Sequence, residues 1–224
     1  MRELCLPTGL GADAMRELDA LVTTRQRFKR GVPIFQSGDR FTALYAIRSG
    51  SCKTTLSDQS GREQVTGYHL MGDMIGFDGI ATGRHQCQAV SLENTEVCEV
   101  PFARLEELSS RLRPLQRNLH RLLSREVARD ENLLLVLGSM GTEERIAAFL
   151  LNLSRRYRQR GYSATEFVLR LTRREIGSYL GMELETVSRL MSRFQSQGLI
   201  EIEKRLVRLL DLQALKAMIG EHDQ

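Results

Sequence analysis

Between Phe28 and Phe102 the apolar positions come in short runs broken by glycine; beyond Ala103 they recur every three or four residues. In the first region, "RFKRGVPIFQSGD" sets Gly31 and Gly38 around an Ile34-Phe35 pair. "ALYAIRSGSCKTTL" carries Leu44 and Ala46 among alternating polar residues and breaks at Gly50. "DQSGREQVTGYHL" follows the turn signal Ser60-Gly61 with a run of period-2 character from Val65 to Leu70, and "TEVCEVPF" closes the series. Short strands at this spacing predict a compact β-barrel or jelly roll.

The second region predicts helices. Pro114 to Leu137 contains no internal glycine or proline; Pro114 suits a first turn and Gly138 is a stop signal. Thr142 is placed to cap the next helix, "EERIAAFLLNLSRRY". Within the long helix, Leu119, Leu123, Val127, Asp130, Leu134 and Leu137 follow a 4-4-3-4-3 spacing, close to a coiled-coil seam. That spacing predicts a homodimer axis. A helix packed on its own barrel is the alternative, which the extra leucines at 122, 133 and 135 partly favour. Asp130 stands where a seam wants an apolar residue. Facing its own copy across a two-fold axis, it would oppose association unless one carboxylate were neutralised; on the flank of the helix it would simply be solvated.

The most informative stretch is "LTRREIGSYLGMELETVSRLMSRFQSQGLIEI". It predicts a short helix over Arg173 to Leu180, a turn at Gly181 and a second helix from Leu184 to Gln197. Val187, Leu190, Met191 and Phe194 fall at i, i+3, i+4 and i+7 and should face inward. Glu185, Ser188, Arg189, Ser192 and Arg193 are left outside. A helix-turn-helix holds two helices against each other and offers the polar face of the second to the major groove. Arg189 can read guanine, Glu185 can accept from cytosine, and Ser188 can contact base or phosphate. After Gly198, "LIEIEKRLVRLLD" predicts a β-hairpin wing with Lys204 and Arg205 at its tip. Arg173, Thr186, Arg193, Lys204 and Arg205 are the candidate phosphate contacts. The partner implied is double-stranded DNA, against the alternative of a generic three-helix bundle.

Charge supports this only through its distribution. Thirty-two Lys and Arg against 28 Asp and Glu leave a net charge of +4. Between Arg155 and Arg174, however, seven arginines meet one acid, Glu166. A solvated helix face would mix in more acids, whereas the planar guanidinium suits phosphate. The longest aliphatic run, Leu133 to Leu137, is too short to span a membrane, and the N-terminus carries no export-type apolar region. Four cysteines (Cys5, Cys52, Cys87, Cys98) in such a chain suggest thiols or ligands in the cytoplasm and not a disulfide framework. A jelly roll could also be a cupin-type metalloenzyme. That chemistry needs clustered histidines, and the barrel offers only His69 and His85, with no H-x-H, H-E-x-x-H, G-x-S-x-G or G-K-[ST] motif. No enzyme is expected.

The segments "LYAIRSG", "EQVTGYHLMGDMIGFDGI", "VCEVPF", "NLSRRYRQRGYS" and "EIGSYLGMELETVSRL" identify a resemblance over nearly the whole chain. The sequence resembles the CRP/FNR superfamily of bacterial transcription regulators, and within it the oxygen-responsive fumarate and nitrate reduction regulator branch. The resemblance implies an α+β chain. Residues 1–112 would form a cyclic-nucleotide-type β jelly-roll barrel, 113–138 a dimerisation helix, and 142–224 a winged helix-turn-helix domain. It implies that Glu185, Ser188 and Arg189 read a TTGAT-type half-site of a palindrome. Leu184, standing where cyclic-AMP-dependent members carry arginine, fits that reading. Barrel surfaces and the region around Arg160 would touch RNA polymerase.

The same resemblance implies a [4Fe-4S] cluster held by three thiolates of an N-terminal C-x2-C-x5-C run and one from the barrel. Cys5 in "LCLP" matches the third and Cys98 in "VCEVPF" the barrel ligand. The other two would fall two and five residues before Met1, so this chain is expected to hold a partial set. Truncation of the motif or loss of the cluster would each explain that, and a cluster-less regulator or one sensing haem or nitric oxide is the alternative. No ligand role is expected for Cys52 or Cys87. Cyclic-nucleotide binding is not expected either. Gly72-Asp73 replaces the Gly-Glu of nucleotide-binding members, and Arg84 is one residue out of step with their phosphate-binding arginine.

Overall fold

The computed structural model describes residues 16–17, 20–21, 24–58 and 60–221. The chain divides into two compact units, Met1–Ala128 and Arg129–Gln224, and the division falls inside its longest helix. The first unit contains eight described strands: β1 (Thr24–Phe28), β2 (Pro33–Phe35), β3 (Ala43–Ser49), β4 (Ser51–Ser57), β5 (Glu63–Leu70), β6 (Met74–Ile75), β7 (Gln88–Ser91) and β8 (Thr95–Pro101). They pair antiparallel in two four-stranded sheets, ordered β1-β8-β3-β6 and β2-β7-β4-β5. This is the jelly roll that the glycine-punctuated pattern predicts.

The period-2 alternation of β3 and β8 sorts the apolar residues into two cores. Ile47 and Val97, with Ile75, pack against Phe35, Cys52, Cys87 and Ala89 of the opposite sheet. Leu44, Ala46, Cys98 and Val100 face the other way, onto Leu105 and Leu108 of α1 (Phe102–Arg111) and Leu115 and Leu119 of α2 (Arg113–Ser139). Leu115 is fully buried, and cutting such a leucine to alanine costs about 2–5 kcal/mol.

The 27-residue α2 changes character along its length. Leu119, expected on the dimer seam, is only 8% exposed because it completes the barrel's own core. This corrects the expectation at that position. Leu123 and Leu137 are half-buried, while Val127 is 57% and Leu134 69% exposed and Asp130 is exposed too. Gly138 does not stop the helix, which continues to Ser139. The next helix, α3 (Thr142–Gln159), is capped by Gly141 and not by Thr142. Gly141 N–H donates to the Glu144 carboxylate at 2.5 Å, the half of a capping box that needs no cap side chain.

The second unit continues with β9 (Glu166–Val168), α4 (Arg173–Leu180), α5 (Leu184–Ser196), β10 (Ile200–Glu203), β11 (Leu206–Leu209) and α6 (Leu212–Met218). The sheet order is β10-β11-β9, all antiparallel, so the wing has a third strand that the sequence reading does not contain. On one face of this sheet Arg208 donates to Glu166 at 2.7 Å and to Glu201 at 2.9 Å, one side chain joining all three strands. Ile146, Leu150, Ile176, Leu180, Val187, Phe194, Val207 and Leu215 fill the core.

Candidate nucleic-acid interface

The helix-turn-helix begins with a reciprocal cap. Thr172 N–H donates to the Glu175 carboxylate at 2.7 Å, and Glu175 N–H donates to Thr172 Oγ1 at 3.3 Å. The T-x-x-E spacing is visible in the sequence, although the sequence reading placed this helix without it. The turn between α4 and α5 is built on two glycines. Gly181 sits at φ 62, the left-handed region. At Gly177 a Cβ would lie 2.4 Å from the Met182 carbonyl oxygen, so only glycine lets the chain return this closely. The Met182 N–H then donates to the Gly177 carbonyl at 2.8 Å.

On α5, Val187, Leu190, Met191 and Phe194 are buried, as the helical spacing predicts. Glu185 and Arg189 are exposed, and Thr186 and Ser188 are half-buried. Arg193 is exposed but ion-paired with Glu143 of α3, so it would have to exchange a carboxylate for a phosphate.

Beside the cap lies a cleft of about 190 Å³, lined by Leu169, Leu171, Thr172, Arg173, Ile202, Lys204, Arg205 and Val207. It brings together three of the five candidate phosphate contacts, Arg173 from α4 and Lys204 and Arg205 from the wing turn, with no acid in its lining. Burial pushes the Arg173 guanidinium below the usual arginine value. A guanidinium stays charged even so, and a desolvated cation gains most from an anion. Lys204 adopts φ 55, a left-handed turn residue that presents its side chain at the wing tip.

The seven arginines between 155 and 174 do not act as one patch. Arg155 pairs with Glu221 at 2.9 Å, Arg160 donates to the Arg156 carbonyl at 2.7 Å, and Arg173 lines the cleft. Arg145, which the sequence reading passed over, donates to three main-chain carbonyls, those of Met140, Leu180 and Leu137, at 2.9, 3.0 and 2.7 Å. Nothing in its sequence neighbourhood marks it, because its acceptors are helix ends fixed by tertiary structure.

The barrel places the other candidates. Asp78 is a hub: its carboxylate accepts the Gln86 N–H at 2.7 Å, the Cys87 N–H at 3.1 Å and the Cys87 thiol at 3.3 Å, and meets His85 Nδ1 at 3.2 Å. Burial alone would raise this carboxyl, but the Cys87 amide, the His85 ring, the Cys87 thiol and the Gln86 amide together hold it below the usual Asp range. His85 is buried and stacked on Phe35 at 3.8 Å. Asp73 accepts the Leu70 N–H at 2.8 Å, and Arg84, on the surface, donates to the Gly38 carbonyl at 2.7 Å.

Cys98 lies in the core between sheet and helices, while Cys52 and Cys87 lie between the two sheets. Burial pushes the Cys98 thiol up, with Arg25 and Arg48 partly offsetting it. Cys5 lies outside the described residues. Among the described residues no three His, Cys, Asp or Glu side chains are grouped to hold a metal ion. Taken alone, they do not fit a [4Fe-4S] cluster, which commonly needs four thiolates.

Two family descriptions match in tandem: a cyclic nucleotide-binding domain over residues 25–111 and a Crp-like helix-turn-helix domain over residues 144–218. The transcriptional regulatory protein btr of Bordetella pertussis is 49% identical over 218 residues, covering 97% of this chain and 90% of that one. The fumarate and nitrate reduction regulatory protein of Salmonella typhimurium is 41% identical over 218 residues, covering 97% and 87%. Among solved structures, FixK2 from Bradyrhizobium japonicum superposes with a TM-score of 0.80 at 28% identity, over 89% of this chain and 98% of that one. With both halves of its architecture and nearly its full length matched, the chain belongs to the CRP/FNR family of transcription regulators, in the fumarate and nitrate reduction regulator branch.

Proposed function

We propose that this regulator binds, as a homodimer, a TTGAT-type palindrome in double-stranded DNA and controls transcription in response to oxygen or redox state. The observation that carries the DNA reading is that one unit presents both α5's exposed polar face and a basic cleft, with no acid in its lining, between the α4 cap and the wing turn. Glu185, Ser188 and Arg189 are assigned to base edges. Arg173, Thr186, Lys204 and Arg205 are assigned to phosphates, as is Arg193 once released from Glu143. The homodimer reading rests on the exposed apolar positions of α2, Val127 and Leu134, with Leu123 and Leu137 half-buried beside them. RNA polymerase is the further partner assigned to barrel surfaces and the region around Arg160. The domain limits proposed are 1–112, 113–138 and 142–224, with the dimer helix serving both compact units.

The oxygen response is supported by the sequence context of Cys5 and Cys98 and by the likeness to a fumarate and nitrate reduction regulatory protein. The described residues do not fit a cluster on their own. A cluster-less regulator of the same family is the second reading, favoured by the apolar setting of Cys98. Fluorescence anisotropy with a TTGAT palindrome and a scrambled duplex tests the DNA assignment. Tight, salt-dependent binding to the palindrome alone is expected, and equal binding to both duplexes refutes it. Anaerobic iron and sulfide analysis tests the sensor: stoichiometric iron and sulfide supports the oxygen response and overturns the cluster-less reading, and their absence favours the cluster-less one.

A further inference from the structure

Arg145 stands at the meeting point of two helix ends. Its Nη2 donates to the Leu137 carbonyl at 2.7 Å and its Nε to the Met140 carbonyl at 2.9 Å, at and just beyond the last turn of α2. Its Nη1 donates to the Leu180 carbonyl at 3.0 Å, the last residue of α4. Arg145 itself is anchored in the first turn of α3, its N–H bonded to the Gly141 carbonyl at 2.9 Å. All of these groups belong to the second compact unit.

Carbonyls at a helix C-terminus have no partner within the helix and carry the negative end of its dipole. One guanidinium satisfies such carbonyls at the ends of two helices at once. Its planar fork fixes an angle as well as a distance, which a flexible ammonium with one charge point cannot do. The neighbouring glycine makes room: a Cβ on Gly181 would lie 3.4 Å from Arg145 Nη1 and 3.4 Å from the Leu137 side chain. Gly181 is also the turn residue that launches α5. The end of α2 and the end of α4, whose C-cap Gly181 opens the turn into the reading helix, therefore converge on one side chain.

We propose that Arg145 is the positioning residue that sets the direction of the reading helix α5 relative to the C-terminal segment of α2. This rests on the DNA reading of α5 and of the α2 seam given above. Two reading helices of a dimer must fall about 34 Å apart to enter successive major grooves. Each is aimed by its own α2 end, so a loosened Arg145 leaves a single α5 able to read while the pair no longer fits both half-sites.

The experiment compares Arg145→Ala with the unaltered chain by fluorescence anisotropy, on a duplex with two TTGAT half-sites and on one with a single half-site. In parallel, ketone-reactive spin labels on p-acetylphenylalanine at the exposed positions Glu131 and Gln195, diluted with unlabelled chain, report the distance from α2 to α5 without using the native thiols. Arg145→Ala is expected to lose tenfold or more on the two-site duplex and less than twofold on the single site, with a broadened label distance. Equal losses on the two duplexes, no loss on either, or an unchanged distance distribution overturns the proposal. If Arg145→Ala shows no cooperative melting, Arg145→Lys is measured in its place with the same bias expected, and a lysine variant that matches the unaltered chain overturns it. Failure of the unaltered chain to bind either duplex would remove the DNA reading instead, and the label distances would still decide on Arg145.

Discussion

The barrel and the winged unit treat their polar groups in opposite ways. Around residues 78–87 the barrel turns two amides, a thiol and an imidazole onto its own carboxylate, Asp78, so these donors are satisfied within the fold. The winged unit instead gathers Arg173, Lys204 and Arg205 around a cleft with no acid in its lining and leaves Arg189 exposed. One region answers its own electrostatics; the other leaves the answer to a partner. That contrast locates ligand chemistry better than either family description alone, because a cyclic-nucleotide-type fold does not carry a nucleotide's phosphate contacts with it.

The sharpest way to break the contrast is to remove the base-reading side of the open region. Arg189→Ala should weaken binding to the palindrome about 10- to 100-fold, the loss of about 1–3 kcal/mol expected for a bidentate base contact, while binding to scrambled DNA changes little. A uniform loss on both duplexes in the same titration would move Arg189 from base to phosphate.

Next is the closed region. Asp78→Ala leaves two amides and the buried His85 without their acceptor, and about 1–3 kcal/mol per orphaned buried group should appear as a lower melting temperature of the barrel. The sign with pH follows from the depressed Asp78 carboxyl. Its contribution is complete above the unfolded-state pKa and is lost as pH falls through the lower folded value. Acid melts of the Asp78→Asn variant should therefore be flatter than those of the unaltered chain. Added cyclic AMP should leave the melting temperature of both unchanged, and a stabilising shift would show that the barrel keeps an open anion seat.

A smaller effect concerns the seam. Desolvation raises the Asp130 carboxyl, with Arg129 partly opposing, so its charge costs most at neutral pH and the cost fades as pH falls through the raised value. Asp130→Ala should dimerise and bind DNA in air, several-fold more tightly than the unaltered chain by sedimentation and anisotropy; a variant that stays monomeric removes the repulsion. Smallest is Lys204→Ala, which should lower the salt dependence of DNA binding by about one unit of slope without changing sequence preference.

What the sequence made legible follows the range of each signal. The limits of α4 and α5 were readable because a 3.6-residue period and Gly181 are local, and the barrel because glycine turns punctuate it. Strand β9 was not. It is three residues long in an arginine-rich stretch, and it exists only because β11 offers it an edge. Leu119 kept the seam's spacing while the barrel claimed its side chain, since a heptad count does not say which of two apolar surfaces is nearer. Arg193 with Glu143 joins residues 50 apart in sequence. Arg145 and Asp78 escaped for the same reason, Arg145 bonding main-chain carbonyls and Asp78 a mixture of amides and side chains that only the folded chain brings together.

The Arg208 clamp has a consequence for encounter rates. Glu201, Arg208 and Glu166 are register partners on one face of the wing sheet, whereas Ile202 and Val207 pair on the other and line the basic cleft. With Glu203, two residues on from Glu201, three carboxylates and one guanidinium leave the clamped face with an excess of two negative charges, which disfavours a polyanion on that side relative to the cleft. On the DNA reading proposed above the wing would act as a small electrostatic rudder, and association should be faster at low ionic strength, before any base is read.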